Sequence, residues 1–255
     1  VHMLLASGLT AAFLVAGISA YRWLRNDRQA SVMVGLKTGI YLGAILVPLQ
    51  ILAGDLHGLN TLKYQPAKIA AIEAIWETEK GAPLLLFGLP DSETRSNRFA
   101  VRVPKLASLI LTHQWDGEIK GLNDFEGNHP PVAPLFFSFR LMVGIGVLML
   151  LSAWVGSAFL WRNKMPAWLA KILVAMSFSG CIATIAGWYT TEIGRQPWLV
   201  YGVLDTKNAV AKNVSEVMIG STLLMYLSLY ALLIVTFIAV IFYLARQAGK
   251  KDDKT

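Results

Sequence analysis

Five long apolar runs dominate the chain and are separated by segments rich in polar and charged residues. They cover roughly residues 1–23, 33–53, 135–161, 168–191 and 216–244. Each is close to the ~20 residues that a helix needs to cross a bilayer. Only 15% of the residues are charged, whereas an average soluble domain has about 25%. The pattern predicts an all-α membrane protein with about five transmembrane helices, which form part of a larger helical bundle.

Basic residues mark one side of the predicted spans. The three clusters are Arg22, Arg25, Arg28 and Lys37; Arg162, Lys164 and Lys171; and Arg246, Lys250, Lys251 and Lys254. All lie on one face if the spans alternate, and the positive-inside rule makes that face cytoplasmic. The net charge of +7 then reflects topology, and we expect no nucleic-acid partner. Residues 1–53 form two spans, residues 54–134 one long outward loop, and residues 135–255 three spans with a short tail.

The first part of the loop has the pattern of a helix. Pro66 suits a first helical turn, and an apolar stripe follows it in residues 69–76. Glu73, Glu77 and Lys80 fall on the opposite face. By shape alone, this segment predicts an amphipathic helix that lies on the membrane with a solvated polar face.

Two spans carry charged residues that a lipid-facing helix would not tolerate. Arg140 lies inside the third span and needs a partner there; a cofactor propionate could accept its hydrogen bonds. At the end of the fourth span, Trp188, Glu192 and Arg195 share one helix face, and Pro197 ends the helix. An aromatic belt with a capping arginine would explain part of this pattern, but it gives no reason for the glutamate.

The residues at this helix end resemble a known family. Residues 194–198 read Gly-Arg-Gln-Pro-Trp, which resembles the signature of subunit I of the cytochrome bd quinol oxidases. Residues 65–76 resemble the quinol-binding loop of that family, in its short-loop form. Residues 137–142 match its Phe-x-x-Arg-x-Met pattern, and the first ten residues resemble the helix that carries a haem-ligating histidine.

The resemblance implies a set of functional residues. Lys68 and Glu73 would take part in quinol oxidation, where a carboxylate can accept a proton. The iron ligands would be His2 and Met142 for a low-spin haem b and Glu192 for a high-spin haem b. The further cofactor-binding residues would be Arg140, Trp188 and Arg195. The oxygen site would hold haem d or another haem b.

The resemblance also implies partners and a location. Subunit I of the family is about twice this length, so the chain would be its C-terminal half. It would work with the missing N-terminal half, with subunit II, with quinol and with the lipid bilayer. The membrane would be the bacterial cytoplasmic (inner) membrane, and the long loop would lie on the periplasmic side.

Several alternatives remain open at the level of sequence. Val-His-Met at the start could be a cloning remnant, in which case His2 would have no role. A membrane haem b anchor could pass electrons from quinol to a partner reductase, although such anchors usually use paired histidines within spans. A secondary transporter could use Arg140 and Glu192 as substrate charges. We expect His57, His113 and His129 to be loop or surface residues and not metal ligands.

Overall fold

The computed structural model describes residues 1–125, 127–209 and 214–248. Five apolar segments in it are long enough to cross a membrane: His2–Leu24, Ala30–Tyr64, Val132–Trp161, Ala167–Gly194 and Glu216–Leu244. The prediction of an all-α membrane protein with about five spans is therefore confirmed. The first helix, α1 (His2–Leu24), packs along α2 (Ala30–Tyr64). The second predicted span, residues 33–53, was too short, because residues 54–64 continue α2 beyond the apolar run.

The polypeptide between the second and third spans is folded. Its elements are α3 (Pro66–Glu73), β1 (Glu79–Lys80), β2 (Leu84–Asp91), β3 (Ser96–Val103), α4 (Leu106–Thr112), β4 (Glu118–Ile119) and a 3-10 turn at Leu122–Phe125. β2 and β3 form an antiparallel hairpin, and β1 pairs with β4. A hydrophobic core that includes Ile72, Leu85 and Phe136 joins α3 and the hairpin to the third span. This core holds the folded loop against the membrane helices.

The third span is α5 (Val132–Trp161), and it runs antiparallel to α2. Pro48 inside α2 has no N–H group, so the carbonyl oxygen of Ala44 loses its usual helical donor. The indole Nε1–H of Trp154 on α5 donates to that oxygen at 3.2 Å. This hydrogen bond replaces the one that the proline removes, and it fixes the Trp154 ring against α2.

The fourth span is broken into α6 (Ala167–Ala175) and α7 (Ser179–Gly194). The hydroxyls of Ser177 and Ser179 each donate to a backbone carbonyl three residues earlier, both at 2.7 Å. Such local bonds compete with the regular helical pattern. The break lies against α1, where a Cβ at Gly17 would be only 2.0 Å from Ser177 Oγ. The absence of a side chain at Gly17 thus lets the broken helix approach α1 closely.

The remaining elements follow the fourth span. A short hairpin is formed by β5 (Trp198–Val200) and β6 (Leu204–Asp205), and a 3-10 turn covers Thr206–Ala209. The last helix is α8 (Glu216–Ala248). Most of its apolar side chains are exposed, and Phe242 makes ring contacts with Tyr21 and Phe178.

Candidate functional site at the loop end of the spans

The helix α3 lies where the folded loop meets the spans, and it contacts α2, α5 and α7. It is short because Ala74 takes a left-handed conformation (φ 52°) and the N–H of Ile75 bonds back to the Ala70 carbonyl at 2.9 Å. The predicted surface helix with a solvated polar face is therefore wrong in two respects. The helix ends at Glu73, so Glu77 and Lys80 lie beyond it, and Glu73 itself is only 5% exposed.

The partner that buries Glu73 is Arg140, which enters from α5. The guanidinium Nη2 donates to Glu73 Oε2 at 2.7 Å and to the carbonyl oxygen of Leu85 at 2.7 Å. The Nε group also donates to Leu85, and Nη1 donates to the carbonyl oxygen of Ile72. The guanidinium carbon lies 4.0 Å from the centre of the Phe136 ring, a cation–π distance. One arginine thus joins α3, β2 and α5.

The environment of Glu73 perturbs its acidity. Burial raises the pKa of the Glu73 carboxyl above its usual value, and the charge and hydrogen bond of Arg140 oppose that rise. Among the described residues, the hydrogen bonds of this side chain are confined to Oε2. Oε1 accepts none of these hydrogen bonds. A buried carboxyl with a raised pKa is a common feature of proton-transfer sites.

Lys68 points toward α7 and not toward Arg140. Its side chain packs on Gly194, where a Cβ would lie 2.6 Å from Lys68 Cε. Burial lowers the pKa of the Lys68 ammonium, the nearby Glu192 opposes that change, and Arg195 adds to it. The five-residue spacing of Lys68 and Glu73 separates them by about 140° around a helix, and they do contact different elements.

At the end of α7, Glu192 pairs with Arg195. The helix ends at Gly194, and Arg195 Nη2 donates to Glu192 Oε2. Both side chains are about 40% exposed. Arg195 Nε is buried and has no hydrogen-bond partner among the described residues. Trp188 is 60% exposed, and its ring contacts Tyr189 on the same helix.

His2 and Met142 lie against different helices. His2 Nε2 is 3.1 Å from the amide nitrogen of Gln50 on α2, and its Nδ1 is buried without a partner in the described part of the chain. The Met142 sulfur faces α7 at Gly187, where a Cβ would be 2.9 Å away. An imidazole and a thioether are both common ligands of haem iron, and here the imidazole has an unsatisfied ring nitrogen while the thioether packs on Gly187. The donor types suit a haem, and the two side chains lie against α2 and α7 respectively.

Some site features had no signal in the sequence. Gln50 lies in an apolar run, and only the fold places it beside His2. His57, expected in the loop, is on the extended α2, with its ring 6.0 Å from that of His2. His113 lies 3.4 Å from Asp55. Across residues 1–125, 127–209 and 214–248, no three His, Cys, Asp or Glu side chains form a cluster that could hold a metal ion.

The chain resembles known proteins over nearly its whole length. Residues 1–249 match the family model described as cytochrome bd terminal oxidase subunit I. The chain is 32% identical to cytochrome bd ubiquinol oxidase subunit 1 of Bacillus subtilis (strain 168), over 93% of the chain and 54% of that protein. It is 30% identical to a putative cytochrome bd menaquinol oxidase subunit I of the same organism, over 99% and 58%.

A solved structure is also similar. The bd oxidase from Geobacillus thermodenitrificans matches with a TM-score of 0.85 at 31% identity, covering 96% of this chain and 57% of that one. The chain thus spans somewhat more than half the length of these relatives.

Proposed function

The chain belongs to the cytochrome bd terminal oxidase subunit I family, and on that premise we propose that it is the C-terminal part of a subunit that oxidises quinol and reduces O2 to water. The observation that carries the proposal is the position of α3. It brings Glu73 to Arg140 and Lys68 to Glu192 and Arg195, so the proposed quinol residues adjoin the proposed haem residues.

In this proposal, quinol binds at the loop end of the spans, on the periplasmic side. Oxidation of a quinol releases two electrons and two protons; the Glu73 carboxylate accepts one proton at Oε1, and the other is released to water on the outer side. Arg140 holds the carboxylate in place through Oε2. Lys68, half-buried beside Glu192, supplies a positive charge or a hydrogen bond to the quinol oxygen.

The haems are held by residues from three spans. His2 and Met142 would ligate a low-spin haem b and Glu192 would ligate a high-spin haem b, with Trp188 on α7 and Arg195 directly after it as further residues of that site. When bound, the haems would supply one-electron transfer from quinol toward the O2-reducing haem, which would be haem d or another haem b. The working enzyme includes the rest of subunit I and subunit II in the bacterial cytoplasmic membrane.

The quinol assignment predicts a loss of turnover without a loss of haem. In the complete oxidase, Glu73→Gln removes the proton acceptor but keeps the volume, and general-base loss slows such reactions by about 10²–10⁴-fold. Lys68→Ala is expected to slow quinol oxidation by about tenfold or more, the effect of one lost charge-assisted bond. Quinol-dependent O2 consumption and haem quantitation measure the two effects.

The matched control is Glu77→Gln. Glu77 is an exposed loop carboxylate that accepts a hydrogen bond from Asn123 at 2.6 Å. We expect this variant to retain the parent rate. Parent-like turnover in both Glu73→Gln and Lys68→Ala would show that α3 is only a structural element.

The low-spin haem assignment predicts a change of spin state. Met142→Leu keeps the volume of the side chain and removes the sulfur ligand, so the low-spin haem b should become high-spin or be lost. Met149→Leu is the control, because Met149 is a buried methionine seven residues along the same helix. Optical spectra of the reduced enzymes decide it: an unchanged low-spin band in Met142→Leu contradicts the assignment.

A further inference from the structure

A crevice lies between α2 and α5 in the half of the spans away from the folded loop. It has a volume of about 550 Å³ and is lined by Tyr41, Trp154, Ser157, Ala158 and Trp161. Its walls are fixed. The indole of Trp154 is held by the Ala44 carbonyl, and Gly156 lets the two backbones approach, since a Cβ there would be 3.0 Å from Ile40. The crevice is therefore a preformed feature of this helix pair.

The mouth of the crevice is at the end of the spans that carries the basic clusters. The two helices are antiparallel, and Ile40 on α2 lies against Gly156 on α5. Lys37 is one helical turn before Tyr41 and therefore lies level with the C-terminal end of α5. Trp161 ends α5, and Arg162 and Lys164 follow it directly. Long basic side chains at this depth extend to the membrane interface, so positive charge gathers where the apolar crevice opens.

These cations have no acidic partner within residues 1–125, 127–209 and 214–248. Elsewhere at the same end, Arg22 pairs with Asp27 at 2.7 Å and Arg28 packs on the Trp23 ring. By contrast, among the described residues the side chains of Lys37, Arg162 and Lys164 take part in no hydrogen bond or ion pair. The Tyr41 hydroxyl, on the crevice wall, likewise has no partner there. Unpaired positive charges and an unpaired hydroxyl group therefore surround the apolar crevice.

We propose that the crevice between α2 and α5 is a specific site for one anionic phospholipid. One acyl chain packs against Trp154, Ser157 and Ala158, and the phosphate group lies at the mouth with Lys37 and Arg162. The occupant is a lipid because an acyl chain suits the apolar walls and a negative headgroup complements the unpaired cations. The site is separate from the loop end, where α3 and its partners lie.

Lipid retention by the complete oxidase tests the charge contribution. Each Lys or Arg near an anionic headgroup contributes about fivefold to binding, so Lys37→Gln with Arg162→Gln should weaken binding of phosphatidylglycerol by about 25-fold. Binding of phosphatidylcholine with the same acyl chains should not change. Native mass spectrometry after graded delipidation measures both. Lys171→Gln is the control, because Lys171 is another exposed cation at the same end.

A second measurement identifies the occupant directly. With photoreactive benzoylphenylalanine in place of Ser157, illumination of native membranes should attach a phospholipid to the subunit. Attachment of another polypeptide would overturn the proposal, because it would show that protein covers the crevice. Equal phosphatidylglycerol retention by the parent and by the Lys37→Gln, Arg162→Gln variant would overturn it as well. Parent-like haem content and quinol oxidation in both variants establish that the enzyme is folded.

Discussion

Arg140→Leu is expected to open the interface between the folded loop and the spans. It leaves Glu73 buried without its counter-charge and removes the donors to the Ile72 and Leu85 carbonyls. Breaking a buried pair by removing one partner costs about 3–5 kcal/mol. We therefore expect amide hydrogen exchange in α3 and β2 of the complete oxidase to accelerate by about a hundredfold or more, measured by mass spectrometry of peptides from this region.

An exposed pair in the same loop provides the control. Arg98 Nη2 lies 2.7 Å from Asp91 Oδ2, the same distance as in the Arg140–Glu73 pair, but the Arg98 side chain is 63% exposed. Exposed pairs contribute only about 0–1 kcal/mol, so Arg98→Leu should change exchange at most about fivefold. Similar exchange rates in the two variants would mean that burial adds nothing to the Arg140 pair.

The same substitution should also change the pH dependence of quinol oxidation. Burial already raises the pKa of the Glu73 carboxyl, and Arg140 limits that rise. Without the guanidinium the pKa rises further, so at a given pH less of Glu73 is in the carboxylate form that accepts a proton. The acid limb of the pH–rate profile should therefore move to higher pH in Arg140→Leu and stay in place in Arg98→Leu.

The spans were predictable because their sequence signal is local. The structure at the loop end of the spans was less predictable. Apolar length and flanking basic residues located all five spans. The extension of α2 to Tyr64 was missed because residues 54–64 are largely polar, and a helix that leaves the membrane needs no apolar run. The break before α7 was missed as well. Ser177 and Ser179 donate hydrogen bonds to nearby backbone carbonyls there, but the long apolar run around them predicts one continuous helix.

The sequence singled out Arg140 and Glu73 separately, but it did not predict that they pair with each other. The position of Arg140 inside an apolar span showed that it needed a partner, and we expected a propionate. The structure shows its protein partners: Glu73 is 67 residues away in sequence and belongs to a helix whose polar face looked solvated. Only the tertiary fold, through the core around Phe136, brings α3 onto α5. The haem ligands rest on the family resemblance, and their assignments remain predictions.

Glu192 is where the structural and the ligand interpretations differ most. It lies at the C-terminal end of α7, where the helix dipole disfavours a negative charge. Arg195 pairs with it, and Lys68 is near enough to interact electrostatically. The Arg195 pair is about 40% exposed on both sides, so it contributes only about 0–1 kcal/mol. A ferric iron would compensate the carboxylate more strongly than this exposed pair does.

We therefore predict that Glu192→Gln in the complete oxidase removes or perturbs the high-spin haem b and leaves the low-spin haem b in place. The amide keeps the size of the side chain and its hydrogen bond from Arg195 but loses the anionic ligand. Glu216→Gln is the control, because it removes an exposed acidic residue at the start of α8. Haem quantitation and optical spectra decide between the interpretations. A full complement of unperturbed high-spin haem b in Glu192→Gln would make Glu192 a structural partner of Arg195 and Lys68, and the high-spin ligand would then have to come from another residue.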